Sequence, residues 1–165
     1  MTAYDPSAWS SLFVATASAA AVLTGLVFLA VSINLERILK GPGLGERDLA
    51  LQSLLLLLSV LVVALIGLIP GQSSAALGVE LLIVSLGFGA VIARLAVITT
   101  PEIRRYLPVA VPLLLGVTGS VPFVVGAVSI LARDGGGLYW VFGGIVGAVV
   151  GASINAWVLM VEIVR

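Results

Sequence analysis

The chain has 165 residues, 61% of them hydrophobic and only 10% charged, whereas a soluble domain carries about 25% charged residues. A soluble globule this small has nowhere to hide so much apolar surface, and a mean hydropathy of +1.26 points to helices solvated by lipid. The absence of cysteine and histidine excludes disulfides, thiolate or imidazole metal sites, haem held by either residue and histidine acid–base chemistry within this chain. A net charge of zero argues against nucleic-acid binding.

A membrane-spanning helix needs about 20 mainly apolar residues. Five such runs follow one another: Ser10 to Ile33, Leu49 to Ile69, Ala75 to Ile98, Leu107 to Ala132 and Leu138 to Ile163. The expected class is therefore all-α, a single polytopic domain over residues 1–165 with five transmembrane helices. Asp5-Pro6 introduces the first run, an N-cap residue followed by proline where a missing N–H does no harm. That run is long and has no basic residues ahead of it, so it reads as a retained anchor and not as a cleaved signal. The first connection, Glu36 to about Asp48, passes through Gly41-Pro42-Gly43-Leu44-Gly45, which is turn chemistry. The later connections are tight: Pro70 to Ser74, Thr99 to Glu102 and Arg133 to Gly137. Pro101 to Tyr106 is expected to form an interfacial turn leading into the fourth run.

Lys and Arg resist translocation and accumulate on the cytoplasmic side. Arg37, Lys40, Arg47, Arg94, Arg104, Arg105 and Arg165 fall on one face of the five-span arrangement, and Arg133 alone on the other. The expected orientation is N-out and C-in, in a bacterial plasma membrane. Tyr4, Trp9, Tyr139 and Trp140 then lie at outer ends, with Tyr106 and Trp157 toward inner ends, as interfacial aromatic residues should.

Helices in lipid are held together by close packing of small residues and by polar contacts. On the fifth run Gly143, Gly147 and Gly151 recur every four residues and Asn155 continues the row. This glycine-zipper pattern suits packing within one bundle or a subunit seam. On the first run Ser11, Ser18, Gly25 and Ser32 recur every seven residues, an interval that drifts only about 20° per repeat. These small groups share one side of the helix, to pack against a neighbour or to line water. Pro112 and Pro122 of the fourth run are expected to kink it and free backbone carbonyls.

Ionisable groups within the membrane are costly and mark candidate sites. Glu80 lies about one and a half turns into the third run, with Arg133 as its expected partner or an ion path as its alternative role. Arg94 is expected to snorkel to the cytoplasmic headgroups. Asn34, Glu36, Asn155 and Glu162 are polar groups that the topology brings toward the same inner end, near Arg94. No phosphate-binding loop, nucleophile elbow, zincin motif or paired catalytic carboxylates appear, and the only lysine is Lys40. The sequence thus predicts a protein that is not an enzyme and needs no cofactor or metal.

The stretch Ala20-Ala21-Val22-Leu23-Thr24-Gly25-Leu26-Val27-Phe28-Leu29-Ala30-Val31-Ser32-Ile33-Asn34-Leu35, with Pro70-Gly71-Gln72 and Gly78-Val79-Glu80-Leu81-Leu82, resembles a loose group of small bacterial integral membrane proteins. Some of that group carry the name modulator of a membrane-bound AAA protease. The resemblance covers about the first half of the chain and brings no catalytic residues. It implies a partner in a larger membrane complex or protease, and singles out Asn34, Gln72 and Glu80. The functional expectation is an accessory or regulatory subunit acting by helix–helix association in the bilayer, including self-association. The alternative is a homo-oligomeric channel or proton/cation pathway.

Overall fold

The computed structural model of the protein describes residues 2–36, 45–98 and 110–164, and side chains within 3–36, 50–95 and 116–157. Among the described residues the long elements are helices: α1 Ser10–Ile33, α2 Gly45–Gly67, α3 Ser74–Ile98, α4 Ala110–Ala132 and α5 Leu138–Val164. Their bounds follow the apolar runs to within a few residues. In lipid each backbone N–H and C=O must be satisfied within the segment, so a continuous apolar run stays helical. Four of the helices are long and apolar enough to cross a membrane, and α4 contributes the shorter described apolar stretch Gly116–Ala132.

Two short 3-10 turns, Thr2–Tyr4 and Pro6–Trp9, lead into α1. Asp5 caps the second, its carboxylate accepting from the Ser7 N–H at 3.0 Å and the Ser7 hydroxyl at 2.7 Å.

α2, α3, α4 and α5 pack as a ring, α2 and α4 each lying between α3 and α5. Leu56, Val60, Leu77, Leu81, Phe123, Ile130 and Val141 fill its centre. α1 stands outside the ring and packs chiefly against α2. Only Phe13 and Ala20 of α1 are buried. The Phe13 ring sits over Gly67, where even a Cβ would come within 2.6 Å of it. One aromatic plug at a glycine therefore anchors a helix that is otherwise largely outside the core.

The N-terminal segment draws the α2–α3 and α4–α5 turns together at one end of the bundle. The Ser74 hydroxyl donates to the Tyr4 carbonyl at 2.8 Å, and the Gly136 N–H donates to the Tyr4 hydroxyl at 3.3 Å. Trp9 meets Tyr139 edge to face at 4.9 Å. Gly137, at φ +50, passes beneath Ala3 and the Tyr4 ring, where both the left-handed backbone and the crowding exclude a side chain. The Ser129 hydroxyl donates to the Asp134 carbonyl and accepts from the Gly137 N–H, closing the α4–α5 turn from inside. On the outside of the bundle large apolar groups such as Val22, Phe28, Ile33, Ile83 and Trp157 are exposed. Such a surface suits an apolar solvent.

Candidate functional site

α1 turns Phe13 and Ala20 toward α2, flanked by the half-buried Trp9, Ala17, Leu23 and Val27. Ser11, Ser18, Gly25 and Ser32 consequently lie on the exposed side. No atom would come within 4 Å of a Cβ added at Gly25. The hydroxyls bond back to their own helix, Ser18 to the Val14 carbonyl at 2.9 Å and Ser32 to the Phe28 carbonyl at 2.8 Å. The small-residue side of α1 thus packs against none of the described residues of its own chain. It presents a smooth strip on which the Ser18 and Ser32 donors are already engaged.

The glycine row of α5 divides in two. Gly143 is exposed, with open space at its Cβ position. A Cβ at Gly147 would stand 2.6 Å from the Thr118 carbonyl oxygen of α4, and Gly151 is buried. Gly144, not Gly143, begins the inward row, because the ring of Phe123 occupies the space beside it. The described part of this row is thus a packing feature of one chain. Of the two expected kink residues, Pro122 lies inside α4.

Glu80 is half-buried, and its Oε2 accepts from Nε2 of Gln72 at 2.6 Å. The expected ion pair with Arg133 does not form. Arg133 is exposed, in the left-handed conformation at φ +53 just after α4, and a neutral amide on the α2–α3 turn takes the partner's place. The sequence suggested an opposite charge; the donor is Gln72, eight residues upstream, singled out by the resemblance but not as the partner of Glu80. Gln72 Oε1 is itself buried and has no donor.

At the other end Asn155 is 2% exposed, and its Nδ2 has no acceptor. A Cβ at Gly119 would meet both Leu56 and Ala148, which puts those residues level. In antiparallel α2 and α5, Gln52 is then level with Ala152, and Asn155 lies about 4.5 Å further along. Gln52 and Ser53 are likewise buried. Of the polar inner cluster expected around Arg94, Asn155 is buried and Glu36 exposed. Arg94 is exposed, and the Asn34 amide donates back to the Ala30 carbonyl at 2.9 Å. The side chains of Glu162 and Pro112 lie outside the described residues, as do Arg37, Lys40, Arg104, Arg105, Tyr106, Arg165 and the expected interfacial turn at Pro101 to Tyr106. The side chain of Arg47 does too.

Between α3 and α4 the small residues Gly89, Ala93 and Gly116 leave a cleft of about 390 Å³. Its hydroxyls are Ser85 and Ser120, and Ser85 already donates to the Leu81 carbonyl. The walls suit an apolar chain better than a polar solute. No protein-family model matches the chain, and neither a curated protein nor a solved structure matches it.

Proposed function

We propose that this chain is a five-span, N-out and C-in protein of a bacterial plasma membrane that works by helix–helix association, as a non-enzymatic accessory or regulatory subunit. The observation that carries the proposal is α1, a helix outside the four-helix ring whose small-residue strip of Ser11, Ser18, Gly25 and Ser32 faces away from its own chain. Small residues let another helix backbone come close, which is how membrane helices gain packing contacts without a hydrophobic driving force. The α5 glycines, by contrast, are largely taken up inside the bundle. The partner helix belongs to a second copy or to a larger membrane assembly such as the protease complexes suggested by the resemblance.

The apolar filling of the ring argues against a conducting path through a single chain. The test combines tagged protein in native membranes with purified protein in vesicles. The proposal expects a stable complex that Gly25→Leu disrupts, and vesicles that remain tight to ions. A protein that stays monomeric in the membrane, or a complex indifferent to Gly25→Leu, contradicts it.

A further inference from the structure

We propose that Glu80 and Gln72 hold a small monovalent cation at the end of the bundle where the N-terminal segment lies. Two observations meet there. The Glu80 carboxylate takes one hydrogen bond, from Gln72 Nε2 at 2.6 Å. The other atom of the same amide, Gln72 Oε1, is buried without a donor. Turning the amide over would set oxygen against carboxylate oxygen, so the pairing itself fixes which atom is left over.

The oxygen and nitrogen of one amide are about 2.2 Å apart. Gln72 Oε1 therefore lies within about 5 Å of the Glu80 carboxylate. Cation–oxygen contacts of about 2.3–2.6 Å, of the length calcium makes, span such a gap from both sides. A buried carbonyl oxygen cannot be satisfied by another acceptor, whereas a cation satisfies it and the carboxylate together.

The turn that carries Gln72 joins the C-terminus of α2 to the N-terminus of α3, so the partial charges of the two helix ends oppose each other there. α2 ends at Gly67, and the Leu65 and Ile66 carbonyls accept from the N–H groups of Leu68 and Ile69 at 3.1 and 3.2 Å. This helix C-terminus, with its partial negative charge, leads into the turn that carries Gln72. The nearby Ser74 hydroxyl is directed to the Tyr4 carbonyl, and Arg133 is exposed and not paired with Glu80. A single carboxylate balances a single positive charge, and divalent sites commonly gather more oxygen ligands, six to eight for calcium. The ligand class is thus a sodium-sized monovalent ion, and the site does not depend on what α1 binds.

The test is the thermal midpoint of purified protein in detergent, followed by tryptophan fluorescence, in sodium chloride and in choline chloride at the same ionic strength. Choline is too bulky to sit between the two side chains. The site predicts a midpoint about 5 °C higher in sodium, saturating with concentration. Glu80→Gln, which removes the charge, abolishes the difference. Gln72→Met, which keeps the carboxylate and removes the amide oxygen, also abolishes it and serves if Glu80→Gln does not fold. Equal midpoints in the two salts, or a difference that survives in either variant, overturns the proposal.

Discussion

Gly147 of α5 lies against the main-chain carbonyl of Thr118 in α4, four residues before Pro122. Proline has no N–H to offer the carbonyl one turn earlier. The close approach of a glycine brings Cα–H groups to that oxygen, a contact that recurs at helix–helix interfaces. The glycine row thus lets α5 approach the α4 backbone closely one turn before its proline. Gly147→Leu should destabilise the protein by about 1–3 kcal/mol through overpacking against backbone that cannot yield. Gly143→Leu, where space is open, should be near neutral. Thermal unfolding of the two variants in detergent checks the contrast.

Phe13 is the main tether of α1. Phe13→Ala should cost about 3 kcal/mol in local packing and release α1 while the four-helix ring persists. Hydrogen exchange would then show α1 amides losing protection while those in α3 and α4 keep theirs. Uniform loss across all helices would mean that α1 is integral to the core.

Asn155 carries a buried donor without an acceptor. Replacing such a group with an apolar one of similar size removes a desolvation penalty of about 1–3 kcal/mol. Asn155→Leu should therefore leave the unfolding midpoint unchanged or raise it. A fall of several degrees would show that the amide is engaged.

Hydrogen bonds from the Ser7 hydroxyl and N–H hold the exposed Asp5 carboxyl below its ordinary value of 3.8. A lowered folded value means that its capping contribution is fully present above pH 3.8 and is lost as pH falls through the folded value. Ser7→Ala should move the Asp5 titration, followed by carbon NMR, back toward 3.8.

The helices were legible in the sequence because an uninterrupted apolar run between Gly, Pro and charged residues leaves the chain little choice in lipid. Ser10, Ile33, Ala132 and Leu138 were placed where the helices begin or end. Which side of each helix faces inward was not legible. These helices are apolar nearly all round, so no periodic pattern distinguishes core from lipid. The α1 strip could be recognised as a strip, but its outward direction depends on Phe13 finding Gly67, a contact between distant residues. Gln72 as the partner of Glu80 was within reach of sequence reasoning, because a turn residue just before a helix can fold back over its first turns. Asn155 could be placed on its helix but not seen to be buried.

The most direct test of the account uses the absence of native cysteine. A photoreactive group attached to Ser18→Cys or Gly25→Cys on α1 is compared in native membranes with the same group at the exposed Ile83→Cys on α3. The account predicts protein adducts of discrete mass from the two α1 positions, lost when Ala21→Leu is added beside the strip, and none from Ile83. Adducts absent from α1, or equal from all three positions, would contradict an association surface on the outward face of the first helix.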